Sequence, residues 1–263
     1  MEHKAKKSLG QNFLKSKKVL ARICEAGELS SKDIVLEIGP GKGALTEKLL
    51  ERGVQVIAIE KDDSLIPFLQ EKFTNETKTG QFILLNQDIL DFSIPKNIKK
   101  YKLIANIPYN ITGAIFKKFL EEEKQPEKMV LLVQKEVAER IVARNKKESI
   151  LSISVKIYGL PKYITTVGKK FFSPSPKVDS AVILISDISK NTFNGNISEK
   201  KFFEILKAGF AHKRKLVLSN LTKTFKQKDE LERIFNKLEI NKNSRAENLT
   251  AQNWVDIAKQ VNL

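Results

Sequence analysis

The stretch "VLEIGPGKGALTEKL", residues 35–49, constrains the fold more than any other. It runs from an apolar strand through a glycine-rich turn into an amphipathic helix, the opening unit of an α/β layered domain. The next hundred residues keep the alternation. "VQVIAIEKD" reads as a second strand, "DSLIPFLQEKF" as a helix with Pro67 near its first turn, "QFILLNQD" as a third strand and "KYKLIAN" as a fourth. "KMVLLVQKEVAERIVA" begins as a strand and continues as a helix, and "SILSISVKIYG" and "DSAVILIS" are later strand candidates. Before the turn, Val19, Leu20, Ile23 and Ala26 are spaced for one helical face. The pattern predicts a parallel, doubly wound sheet with helices on both faces. After Ser189 the polar "SKNTFNGNIS" reads as a linker, and the rest is helical. The predicted organisation is an α/β domain over residues 1–188 and a small all-α domain over 198–263.

The turn fits two templates. Gly39, Gly41 and Ala44 satisfy the dinucleotide pattern, and Glu60 lies 21 residues past Gly39 at the end of the next strand, where such folds hold a ribose. Gly39, Gly41 and Gly43 also satisfy the E-x-G-x-G-x-G pattern of class I S-adenosylmethionine (SAM) methyltransferases. Charge favours the second. Glu37 would set a carboxylate against a pyrophosphate, but it suits a ligand carrying an ammonium and a sulfonium. A nicotinamide enzyme, or a turn that binds nothing, stays open at this point. Asp88 ends the third strand, where it could accept from an adenine amine or cap the next turn.

Composition narrows the partner. Lys and Arg number 47 against 31 Asp and Glu, a net charge of +16 that favours a polyanion. Lys4, Lys6, Lys7, Lys15, Lys17 and Lys18 crowd the N-terminus, and His212, Lys213, Arg214 and Lys215 crowd what reads as a helix of the second domain. Such runs are often only solvated faces, but the overall excess points to phosphate contacts. The single cysteine, Cys24, excludes an internal disulfide and fits a reducing compartment, and two histidines make no zinc-ligand spacing. No signal peptide and no membrane-spanning run is expected.

"ANIPYN", residues 105–110, follows the fourth strand. Taken alone it is a strand-to-helix turn with Asn106 as a local cap. Together with "LGQNFL" (9–14), "LEIGPGKGALT" (36–46), "AIEKD" (58–62), "QDIL" (87–90), "LLVQKEVAERIVA" (131–143), "FFSPSPKVDSAV" (171–182) and "FAHKRKLVLSNL" (210–221), it resembles the small-subunit ribosomal RNA adenine dimethyltransferases of the KsgA type. The resemblance implies a Rossmann-like class I methyltransferase domain with a small helical C-terminal domain. It implies transfer of methyl groups from SAM to the amino groups of two adjacent adenosines near the 3′ end of small-subunit ribosomal RNA, with a role in small-subunit biogenesis. Carried onto this chain, the cofactor site would comprise Asn12, Leu14, Gly39, Gly41, Glu60, Asp88 and Asn106.

In that scheme the Asn106 side-chain oxygen and the Pro108 carbonyl hold the two hydrogens of the target amine, and Tyr109 offers its ring to the base. Phe172 is expected on the base's opposite face, its plain alternative being a loop phenylalanine packed on the sheet. Lys213, Arg214 and Lys215 would contact RNA, with a ribosomal particle as substrate and no metal. A cytoplasmic monomer with no membrane partner is expected. The rivals are the large-subunit adenine methyltransferases that confer macrolide resistance, a non-catalytic ribosome-assembly factor and a nicotinamide oxidoreductase.

Overall fold

The computed structural model describes residues 5–6, 9–195 and 197–261; His3, Lys4 and Lys7 lie outside them. By contact the chain divides into two compact units, one running to Ala138 and resuming over Leu160–Ile188, the other formed by Glu139–Gly159 and Ser189 onward. The segment 139–159, which the sequence boundary at 188 leaves in the first domain, clusters with the second unit.

The first unit opens with β1 (Phe13–Leu14) and α1 (Lys17–Ala26), the latter capped by Ser16 and burying Val19, Leu20, Ile23 and Cys24. There follow β2 (Ile34–Ile38), α2 (Ala44–Leu50), β3 (Gln55–Glu60), α3 (Ile66–Lys72), α4 (Thr74–Lys78), β4 (Phe82–Asn86), β5 (Lys102–Asn106), α5 (Thr112–Glu121), β6 (Lys128–Gln134) and α6 (Lys135–Ile141). After α7 (Ile150–Lys156) in the second unit, the chain returns as β7 (Leu160–Val167), β8 (Phe172–Ser173) and β9 (Ser180–Ser186). The main sheet has the order β4-β3-β2-β5-β6-β9-β7. β2 through β6 are mutually parallel where they pair. Their central strands are nearly unbroken apolar runs, as strands covered on both faces require. From β2 the chain winds one way into β3 and β4 and the other way into β5 and β6, so a crevice opens at the carboxyl ends of β2 and β5.

Two expectations are corrected here. The sheet is mixed rather than wholly parallel, because β9 runs antiparallel to both β6 and β7. β7 was not anticipated; an antiparallel partner needs only the short connection 168–179. And "SILSISVKIYG" is not a strand but carries α7. Its spacing suits either period, and the helix is decided by a capping box at its start. Ser152 N donates to Ser149 Oγ at 3.1 Å, and Ser149 N donates to Ser152 Oγ at 2.7 Å.

The second unit completes itself with α8 (Glu199–Gly209), α9 (Val217–Phe225), α10 (Lys228–Lys237) and α11 (Ala251–Gln260). The residues expected to form a linker are anchored instead. Phe193 packs on Tyr158 and Phe202, at ring separations of 5.5 and 5.8 Å, and Thr192 Oγ1 donates to the Ile157 carbonyl at 2.8 Å. Trp254 is fully buried against α8. A Cβ on Gly209 would lie 2.2 Å from its ring, so that close approach depends on glycine. His212–Lys215 lie in the bend between α8 and α9, not in a helix, and all four are exposed. Asn220 holds that bend by donating to the carbonyls of Gly209 (2.7 Å) and His212 (3.1 Å). Among the described residues, no helix is long and apolar enough to cross a membrane and no cluster of His, Cys, Asp and Glu could hold a metal.

Candidate active site

The crevice holds a cavity of about 620 Å³ within the first unit, in the size range of small-molecule sites. Its wall begins with the glycine turn. Gly39 and Gly41 both take left-handed φ values, +62° and +58°. A Cβ on Gly39 would meet no protein atom within 4 Å, so its absence widens the cavity itself. A Cβ on Gly41 would fall 2.8 Å from the Phe13 ring, so there glycine admits a protein neighbour.

Carboxyl groups from the ends of β2, β3 and β4 line the cavity. Glu60, at the end of β3, accepts from Gly41 N (3.1 Å) and Asp62 N (2.8 Å). Burial raises its pKa, and these backbone donors oppose the rise. Glu37 is buried at the end of β2 and accepts from Thr46 Oγ1 at 2.7 Å. Burial pushes its carboxyl up to about 8. Burial thus works against the fixed negative charge expected from the sequence. A nearby cation would draw the carboxyl toward its ionised form, which a phosphate would not. Asp88, just past β4, pairs with Lys61 at 2.7 Å and accepts from Leu90 N at 2.9 Å. The Lys61 ammonium, and then the Leu90 N–H, hold its carboxyl below the usual carboxylate range. It is thus both a turn cap and a cavity wall.

The opposite wall comes from the turn after β5. Asn106 Nδ2 donates to the Asn12 carbonyl at 3.1 Å, which commits the amide nitrogen and presents Oδ1 as an acceptor. Asn12 Nδ2 in turn donates to Gly10 O at 3.0 Å. The Pro108 carbonyl accepts a long bond from Ile111 N, 3.3 Å. Tyr109 shares a 2.5 Å hydrogen bond with the buried Ser180 hydroxyl, and burial raises its pKa.

Asn12, Leu14, Gly39, Gly41, Glu60, Asp88, Asn106, Pro108 and Tyr109 all line this cavity. Phe172 does not. It is 4% exposed and belongs to the core cluster. The reason is the antiparallel bridge of β1 to β8, which pairs Leu14 with Phe172 and Phe13 with Ser173. Alternation turns Phe172 inward, where Leu14 is shared between the core and the cavity wall, and turns Phe13 and Ser173 toward the cavity. A second ring beside Tyr109 in the cavity lining, Phe13, has no distinguishing mark in the sequence. Nor has the clasp that holds its segment, in which Asp62 accepts from Lys6 Nζ at 2.6 Å and Gln11 Nε2 at 2.7 Å. "LGQNFL" carries no periodic signal of its own, and its partner strand β8 is far off in sequence. Lys213, Arg214 and Lys215 belong to the second unit and line no part of this cavity.

A family model described as ribosomal RNA adenine dimethylase matches residues 2–263. A protein of Fusobacterium nucleatum named ribosomal RNA small subunit methyltransferase A is 39% identical over 98% of each chain. One of the same name from Dehalococcoides mccartyi is 43% identical, covering 95% of this chain and 86% of its own. Among solved structures, a dimethyladenosine transferase from Plasmodium falciparum superposes with a TM-score of 0.79 at 26% identity, over 93% of this chain and 95% of its own. The 23S rRNA methyltransferase ErmE superposes with 0.77 at 24% identity, over 95% and 99%, a likeness of fold.

Proposed function

Because the chain belongs to the ribosomal RNA adenine dimethylase family, we propose that this cavity is where it dimethylates the exocyclic amines of two adjacent adenosines near the 3′ end of small-subunit ribosomal RNA. The relatives at 39% and 43% identity carry small-subunit names, which favours this over the large-subunit reading. The observation that carries the chemistry is the committed amide of Asn106, facing a cavity whose strand ends bring carboxyl groups.

The residues present fit SAM. The wall left open at Gly39 admits a ligand, and Glu60 keeps acceptor capacity for ribose hydroxyls beyond its two bonds to backbone N–H groups. Asp88 accepts from the adenine amine, and Asn12, Leu14 and Gly41 complete the wall. When bound, SAM supplies an electrophilic methyl group on a sulfonium. The protein's task is then to orient a weak nucleophile. Asn106 Oδ1 and the Pro108 carbonyl accept the two amine hydrogens and favour a pyramidal nitrogen with its lone pair free. No strong base is needed, since the proton becomes acidic only after transfer. The Tyr109 ring, steadied by Ser180, supports the flipped base, and stacking offsets part of the few kcal/mol that unstacking costs.

We place Lys213, Arg214 and Lys215 on RNA phosphates, and we take the substrate to be a ribosomal particle met by a cytoplasmic monomer. Support comes from the +16 charge and the exposed bend. Incubation with tritiated SAM and small subunits lacking the modification tests the whole reading. Label in the two adjacent adenosines is expected, and label in large-subunit RNA, or none, would refute it.

A further inference from the structure

The substrate of the proposed reaction is a pair of adenosines, but the cavity has one Asn106 and one Tyr109, so only one base is seated at a time. Its neighbour needs a place outside. Resting on the function proposed above, we propose that the exposed ring of Phe171, with the lysines around it, holds the second adenosine while the first occupies the cavity.

Phe171 closes a 3-10 turn, Lys169–Phe171, just before β8, so its ring is set by that turn rather than by the strand that buries Phe172. Of the two adjacent phenylalanines, Phe172 is 4% exposed in the core and Phe171 is 36% exposed. Ser173, on the far side of Phe172, lines the cavity. Two residues of chain span at most about 7 Å, a distance within one step of an extended single strand. The backbone there is held at several points. Lys15 N donates to the Phe171 carbonyl (2.8 Å), Phe171 N donates to Gly168 O (3.0 Å), and Ser175 Oγ donates to Lys169 O (3.0 Å). The platform is therefore built before any ligand arrives.

Its chemistry suits a nucleotide. Lys169, Lys170 and Lys177 are exposed and have no ion-pair partner among the described residues. Asp179, on the same loop, accepts from the backbone N–H of Lys169 at 2.9 Å. Lys170 Nζ lies 5.4 Å from the Phe171 ring centroid. That exposed ammonium can swing to a phosphate and leave the ring face to a base, so one movement serves both contacts. Val178, 46% exposed on the same loop, adds apolar surface.

The test is a quenched time course of the full chain with SAM and unmodified small subunits, read by mass spectrometry of the ribosomal RNA fragment bearing both adenosines. Phe171→Leu keeps apolar bulk and removes the ring. It is expected to accumulate particles modified on one adenosine about fivefold or more above wild type, and to slow the first transfer as well, since that transfer occurs while the second adenosine rests on the ring. Phe171→Tyr is expected to restore the wild-type pattern. Lys170→Gln with Lys177→Gln is expected to shift it the same way as the leucine variant, more weakly, and thermal melts report folding. Wild-type ratios of single to double modification in both the leucine and the glutamine variants would overturn the inference. A wild-type enzyme that leaves the pair unmodified overturns the functional reading and this inference with it.

Discussion

Asn106 differs from an ordinary turn residue in having one half of its amide committed and the other presented to the cavity. Asn106→Ala is therefore expected to lower single-turnover methylation at saturating SAM by a hundredfold or more, about 2.7–4 kcal/mol of barrier, with a nearly unchanged melt. A near-normal rate with a lowered melting temperature would make it a plain turn cap. At Tyr109 the ring is proposed to act, so Tyr109→Phe is expected to retain most of the rate and Tyr109→Ala to lose it. The phenylalanine leaves Ser180 without its 2.5 Å partner, so a small loss of stability accompanies it. Glu60→Ala is expected to weaken SAM binding more than Glu60→Gln by calorimetry, since the amide still offers one acceptor to the Gly41 and Asp62 N–H groups. Glu37 has a pH signature of its own. Its folded pKa, about 8, stands above the ordinary 4.5, so between those values the folded state holds a proton that the unfolded state has lost. That contribution is fully present below pH 4.5 and is lost as pH rises through 8. Glu37→Gln keeps an acceptor for Thr46 and removes the titration. Its melting temperature should match wild type at pH 5 and exceed it at pH 8. Glu60 shifts in the same direction, so the wild-type slope is reduced in the variant rather than abolished.

At the scale of elements, strands and turns that follow one another directly were readable. β2 and its glycine turn, β3 ending at Glu60, β4 leading to Asp88 and β5 ending at Asn106 each announce themselves by an apolar run closed by a polar or glycine residue. The carboxyl-end rule then gathers those residues in one crevice without further information. What could not be read depends on partners distant in sequence. Two adjacent phenylalanines are equivalent until the bridge of β8 to Leu14 decides which turns inward. The antiparallel β7 is ordinary apolar sequence until β9 pairs with it. "HKRK" sits at a helical-looking spacing, but Asn220 caps α8 from the next helix and holds the residues as a bend. In α7, period 2 and period 3.6 both fit "ILSISV", and the Ser149–Ser152 box is what discriminates between them. Ser149→Ala removes the side chain that accepts from Ser152 N. It is expected to destabilise the protein by about 0.5–2 kcal/mol in denaturant melts while leaving the methylation rate per folded molecule unchanged. A variant with wild-type stability would mean that tertiary burial of Ile153 and Val155, rather than the cap, selects the helix.

For the whole molecule the governing quantity is charge. An excess of sixteen positive charges works against folding through self-repulsion, and nothing in the SAM chemistry requires it. A polyanionic partner gives it a purpose. Each phosphate neutralised on RNA releases condensed counterions, so affinity falls with salt at roughly 0.7 log units per phosphate per log unit of salt on a single strand, and more on a duplex. Binding to unmodified small subunits should therefore weaken steeply between low and moderate salt, while SAM affinity measured on the free protein changes little. The exposed cations Lys213, Arg214 and Lys215 give the slope a local origin. Replacing all three by glutamine should reduce it by about 2, at ~0.7 for each of three lost phosphate contacts, and leave the SAM affinity intact. Filter binding over a salt series measures both slopes. A triple variant with the wild-type slope would free the bend between α8 and α9 of any phosphate contact. An affinity that ignores salt altogether would leave the +16 charge without its polyanion.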